Sequence, residues 1–493
     1  MKRTKILLCV LMTICMCSCN TGHQIHIPDK NEDFLVEILK NGKWKEIPVH
    51  KAKVSDYVWN PEAGYQQYDM GFAMFTDDFK EPVKVRVTKK DGFNSVCARP
   101  TSYGIEMQRC SNKKVEFTIT DPGKKISVEF DGDRMQNLFI LPDLPDADIP
   151  EGDNVIYYGP GIHDAGEIKL EWWNNATIYI DSEAIVYGRI VANRCDSLTI
   201  RGRGILCSSK ENHGEGRKPQ IETYACNHLT IEGIMLRDTP NWTIKVVGSD
   251  HVHVNNIKEI GWIMNSDGMD FLCCRHVLVE NTFQRNYDDN VTIKAFNASP
   301  EYIRKNSETD GSYKDWTIGM VEGLDKFDVY DIEVRNCVFW ADKAHNMLVG
   351  PESRGVTFSD IRFHDNIVLE NRQDDDTYPG TMAVMIADNG IFKNVTFENI
   401  QVEDINGGKI FCVQFTNAWA YQEKYGQNLD GITFRNISYT GKRATAARVH
   451  GLDEKHSISN VLIDNFTVNG KKVDVEDKEY ISINKYVDNI EVK

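Results

Sequence analysis

The chain has 493 residues and a net charge of −16, from 57 basic and 73 acidic side chains. That length suggests roughly three ordinary domains, although a repeat architecture evades the rule because its core grows in one dimension. The acidic balance argues against nucleic acid, which wants a basic stripe, and makes a polyanionic substrate less natural unless a local basic patch overrules the total.

The chain opens "MKRTKILLCVLMTICMCSC". Lys2, Arg3 and Lys5 form a basic region ahead of an apolar stretch over 6–17 that is too short for a transmembrane span. The "MCSC" ending, with small Ser18 before Cys19, resembles a bacterial lipoprotein signal. That resemblance implies loss of residues 1–18, lipidation of Cys19 and a place in the cell envelope, with membrane contact only through the lipid. Beyond the leader nine cysteines remain with no CxxC pair, which argues against a zinc site and a complete disulfide framework. They read as small core hydrophobes.

Residues 19–145 form the first domain. Runs such as "FLVEIL", "VKVRVTKKD" and "KVEFTITDPGKKISVEFDGD", separated by Gly, Asp and Asn turns, predict a small antiparallel β-sandwich. The proline-rich "LPDLPDADIPEGD" (141–153) reads as a linker. From 146 to 493 one pattern recurs: period-two apolar alternation, then Asn, Gly or Asp two places after a β-branched or aromatic residue. Examples are "HLTIEGIMLRD" (228–238), "HVLVENTFQRN" (276–286) and "GITFRNISYTG" (431–441). Alignment puts Gly202, Gly233, Asn256, Asn281, Asn336, Asp360, Asn399, Asn436 and Asn465 in one column. Alternation means strands, a corner Asn or Gly tolerates left-handed backbone, and coils of about two dozen residues describe a parallel β-helix. The fold class is all-β, a β-sandwich followed by a parallel β-helix.

Within the repeat, "NSDGMDF" (265–271) is followed one coil later by "RNYDDNVTIK" (285–294). Stacked coils bring Asp267, Asp288 and Asp289 together. Inverting glycoside hydrolysis needs such a set, one carboxyl to protonate the leaving oxygen and another to activate water, with room for that water between them. Mutual repulsion keeps one proton on while the others ionise. Calcium binding or solvated turn acids are the competing readings of the same spacing.

"RKP", "LTIEGI", "NWTI", "NSDG" and "YDDNVTIK" fall in the order found in glycoside hydrolase family 28, the polygalacturonase family, which residues 155–294 resemble. The resemblance implies a right-handed β-helix and hydrolysis with inversion. It makes Asp288 the general acid, with Asp267 and Asp289 positioning and deprotonating water; Asn265-Ser266-Asp267 matches the family's Asn-Thr-Asp. The family's Gly-His-Gly is answered only by "AHNMLVGPE", making His345 either a site histidine or a capping surface residue. The Arg-Ile-Lys that binds galacturonate has no counterpart, and the Asp374–Asp376 run would repel a uronate. The added N-terminal domain also resembles family 49, the dextranase and isopullulanase relatives, which act on neutral α-glucans.

Lys294 either hydrogen-bonds a sugar hydroxyl, holds Asp288 or Asp289, or forms a coil-facing salt bridge. Trp242, Trp262, Trp340 and Trp419 are either sugar-stacking platforms or packing residues. No cofactor or metal is called for, and the expected partner is a polysaccharide or oligosaccharide, neutral rather than polygalacturonate. A polysaccharide lyase on the same fold and a non-catalytic carbohydrate-binding surface protein are the alternatives.

Overall fold

The structure is a computed structural model that describes residues 29–56, 66–213, 218–295, 328–353, 356–373, 375, 378–417 and 424–493. Cys19, the leader, Trp419, Asp374 and Asp376 lie outside the described residues. Among the described residues the elements are strands, apart from one short 3-10 turn at Thr101–Tyr103.

Two five-stranded sheets form the N-terminal domain, and the last of their strands ends at Asp143. Val36, Val85, Phe117, Val128 and Ile140 are among the side chains that fill the space between them. The pairing departs from the expected antiparallel pattern at one place: Gln67–Thr76 and Asp133–Asp143 run parallel. From Val155 onward the remaining strands form one continuous set in which each pairs, almost always in parallel, with its counterpart one coil later. Interior Ile, Val and Phe side chains stack along the axis; the Phe363, Phe397 and Phe434 rings, for example, are stacked nearly parallel with centroids 5.1 and 5.3 Å apart.

The corner column is present. Gly202, Gly233, Asn256, Asn281, Asn336, Asn399, Asn436 and Asn465 all have positive φ, a backbone state costly for most side chains but accessible to Gly and Asn. Asn436 Nδ2 donates to Asn399 Oδ1, and Asn465 Nδ2 to Asn436 Oδ1, both at 2.9 Å. Asp360 belongs elsewhere. Asp365 occupies the column, accepting from Asn399 Nδ2 at 2.9 Å, while Asp360 accepts from Asn394 Nδ2 in a second corner ladder. "FSDIRFHDNI" places an Asp two residues after a Phe twice, five positions apart, so the pattern admits two registers and only the pairing of whole strands selects one.

Seven of the nine cysteines are buried and free as expected, but Cys97 and Cys110 on the N-terminal domain are exposed. One N-terminal sheet lies on the outer face of the β-helix. Ala52, Val54, Met70, Phe72, Phe139 and Leu141 meet Ile185, Ile205, Met235, Ile260, Phe283 and Trp340 in a continuous apolar layer. The covered strands are therefore buried on both faces, as in Phe283–Asn286 and Val338–Ala341.

Candidate active site

Strand register places the acids. Ile244 pairs with Met269, Met269 with Val291 and Val291 with Met347. Two residues before these positions, Trp242, Asp267, Asp289 and His345 form one column across four successive coils. Asp288 precedes the column by one residue. The β-helix thus turns four distant sequence positions into a linear array at the N-terminal end of one sheet.

One oxygen from each of Asp267, Asp288 and Asp289 lies within 4.8 Å of the others. All three side chains are buried. Asp288 Oδ2 accepts from the Asn265 N–H at 2.9 Å and its Oδ1 from the Asp289 N–H at 3.2 Å, so Asn265 acts here through its backbone. Asp289 Oδ1 accepts from the His345 N–H at 2.9 Å and meets His345 Nδ1 at 2.6 Å. His345 is therefore buried beside Asp289, not a surface cap. Its Nε2 is buried and has no partner, which leaves that nitrogen for a ligand. Lys294 holds neither acid of the pair; its Nζ lies 2.7 Å from Asp270 and 3.3 Å from Asp267.

The environments separate the acids. Burial, then repulsion from Asp289, pushes Asp288 up to about 6. Burial also acts on Asp289, but the charge and hydrogen bonds of His345 overcome it and hold that carboxyl below its ordinary value. Burial, with Asp270 and Asp288 alongside, raises Asp267 well above the usual range despite Lys294. Lys294 keeps its proton because Asp270, Glu352 and Asp267 outweigh its burial. An acid, an ionised base and a third carboxyl sharing a proton with its neighbours are the working parts of acid–base hydrolysis. A divalent cation would find three carboxylates here, but the Lys294 ammonium already occupies the electrostatic role beside Asp267.

Trp242 is partly buried, with Lys294 Nζ 4.7 Å and Lys245 Nζ 5.8 Å from its ring. It stands beside the acids, as a sugar platform requires. Trp262 sits under Lys53 of the N-terminal domain at 5.1 Å. Trp340 is not a platform: it is fully buried in the interdomain layer, with its Nε1–H donating to Asp342.

Sequence reasoning missed Asp270, Glu352 and Tyr378. Asp270 accepts from Thr292 Oγ1 at 2.5 Å as well as from Lys294; its signal was a second acid three residues after Asp267 inside a strand. Burial raises Glu352, whose main electrostatic neighbour is Lys294. The Tyr378 ring lies 5.7 Å from His345 and 5.1 Å from Lys343 Nζ, and the three aspartates add to the burial that raises its hydroxyl. Only a loop return brings it here, on a turn held by Asp375 Oδ1 accepting the Tyr378 N–H at 2.8 Å.

Residues 164–375, which contain the three aspartates and His345, match the family described as Glycosyl hydrolases family 28. The protein is a glycoside hydrolase. Among curated proteins no relative matches. The fold is similar to that of Dex49A from Penicillium minioluteum, at 13% identity over 94% of each chain with a TM-score of 0.63. An exopolygalacturonase from Thermotoga maritima aligns at 17% identity over 67% of this hydrolase and 84% of that chain, with a TM-score of 0.48.

Proposed function

We propose that this glycoside hydrolase cleaves a neutral or sparsely charged glycan with inversion at the anomeric carbon. Asp288 donates its proton to the glycosidic oxygen as the C–O bond breaks. Asp289, ionised by His345, removes a proton from the water whose oxygen attacks the anomeric carbon. Asp267 positions that water, since its Oδ1 is buried and unpartnered while Oδ2 is engaged by Lys294. This narrows the expected sharing of the base role, because a carboxyl raised as far as Asp267 is a poor base next to Asp289.

One observation carries the substrate class: among the described residues, Lys294 and the nearby cations along the β-helix are held in ion pairs with acids, while Lys343 also acts on Asp288. Lys294 is held by Asp270 and Asp267, and Lys245, beside Trp242, by Glu222, which also pairs with Arg189. A uronate carboxylate arriving there would compete with these ion pairs. Support for inversion comes from the family 28 match. The spacing does not supply it, because oxygens within 4.8 Å are closer than the ~6.5–9.5 Å usual for inverting pairs. The room expected from adjacent coils is thus smaller than the sequence suggested, and the water must approach beside the acids. The test is a panel of neutral glycans and polygalacturonate, assayed for new reducing ends, with the first product anomer read by NMR. Strong turnover of polygalacturonate refutes the substrate class. Retention of configuration refutes the roles given to the aspartates, and unsaturated product ends indicate a lyase.

A further inference from the structure

We propose that the N-terminal domain is part of the catalytic apparatus, acting through Arg285 as a positioning residue for the turns that carry Asp288, Asp289 and His345. The inference rests on the reaction proposed above. Asp288 lies three residues after Arg285, and His345 three residues after Asp342. The strands leading into these turns, Phe283–Asn286, which holds Arg285, and Val338–Ala341, which ends one residue before Asp342, run in parallel with Arg285 opposite Trp340. Both turns therefore leave adjacent coils at the same height. The Asp342 N–H donates to the Asn286 carbonyl at 2.8 Å. Arg285 then clamps Asp342 through Nε to Oδ2 at 2.9 Å and Nη2 to Oδ1 at 3.1 Å. Both side chains are fully buried.

A guanidinium has five N–H donors in a fixed fork. Asp342 takes two of the five contacts, and the N-terminal domain supplies the other three: Asn137 Oδ1 at 2.9 Å, and the Met70 and Met135 sulfurs at 3.7 Å. The Trp340 ring lies 4.4 Å from the guanidinium carbon, and its Nε1–H donates to Asp342 Oδ1 at 2.9 Å. The Asn137 amide is itself fixed, with Nδ2 donating to Ser127 Oγ at 2.8 Å. The geometry of the fork is thus completed from the second domain, and the dry setting strengthens its grip on Asp342. A charge pair this deep is weak evidence for stability alone. Its place three residues ahead of both catalytic turns gives it a positioning role.

The test uses the full chain. Asn137→Ala removes the N-terminal partner without altering the β-helix, and Arg285→Lys keeps the charge but loses the fork. Val85→Ala is the control: it opens a cavity in the sandwich core away from Asn137. Displacements of about 1 Å can cost up to ~100-fold in rate. Asn137→Ala and Arg285→Lys are therefore expected to lower kcat by roughly tenfold or more with KM within about twofold. They should also move the alkaline limb of the pH profile to lower pH, because water admitted around Asp288 relieves the burial that raises its pKa. Val85→Ala should lower the melting temperature and leave kcat and the profile unchanged. The Asp288 pKa, followed in the free protein by NMR of 13C-labelled aspartate, should fall in the first two variants and needs no substrate. That readout separates failure of this inference from failure of the proposed reaction. If Asn137→Ala and Arg285→Lys lose only thermal stability, as the control does, the positioning role is overturned.

Discussion

Asp288→Asn preserves the shape of the side chain and removes only the transferable proton and the charge. General acid catalysis contributes about 10²–10⁴-fold, so the variant should lose ~3–5 kcal/mol of transition-state stabilisation. The structure also fixes the collateral cost. Asp288 accepts two backbone N–H groups, from Asn265 at 2.9 Å and from Asp289 at 3.2 Å. An amide keeps only one of those bonds, since its NH₂ cannot accept, and leaving a buried N–H unpaired costs about 1–3 kcal/mol of stability. The fold survives that loss, and the melting temperature measures it. The wild-type alkaline limb should lie near pH 6: Asp288 holds its proton below about 6 and loses it as pH rises through that value. In the variant this limb should vanish. Rates are measured on the glycan the panel identifies and on an aryl glycoside whose leaving group needs no protonation. The aryl substrate should recover much of the lost rate in Asp288→Asn and none in Asp289→Asn. Near-normal turnover of the natural glycan by Asp288→Asn, or an unchanged alkaline limb, would refute the assignment of the acid.

His345→Phe should raise the Asp289 pKa, because the imidazole is the largest influence opposing burial and only Lys294 and the backbone N–H at 345 remain, and so shift the acid limb to higher pH; His345→Asn, whose Nδ2 can stand near Nδ1, should restore part of the rate. The same limb in both variants would remove His345 from the base. Glu259 is fully buried, pushed up to about 8 by burial first, with one oxygen unpartnered. Its folded pKa exceeds its unfolded value, so the native state binds more protons, and stability falls as pH rises from about 4.5 through about 8. Glu259→Gln should flatten that decline, by on the order of a few kcal/mol at the alkaline end, in denaturation curves taken at pH 5 and pH 8.

The β-helix was legible because its physics is local and repeated. Alternation sets the inward face, and each corner residue must tolerate left-handed backbone, so Asn256, Asn281 and Asn336 announce the coils. The register failed only where the signal is duplicated, at Asp360 and Asp365. Docking of the N-terminal sheet was not legible. Phe283, Val338 and Trp340 face outward from their strands, and outward apolar residues have no meaning until the covering sheet is known. That is why Trp340 could be read as a sugar platform and Arg285 as nothing in particular.

At the site, sequence order identified the groups but not their protonation. Asp267, Asp288 and Asp289 are the same residue type in one motif set, yet burial and neighbours hold them at three different levels. The difference comes from groups that stacking, not sequence, brings in: His345 two coils along from Asp267, Lys294 at the far end of its strand, and Asp270 beside it. Asp267 and Asp270 face a single ammonium, and burial disfavours a second uncompensated charge. Both carboxyls of that pair are raised, whereas the Asp289 carboxyl, hydrogen-bonded by the His345 ring and backbone N–H, is held below its ordinary value. Spacing gathers the acids; the placement of Lys294 beside Asp267 and Asp270, and of His345 beside Asp289, separates their levels.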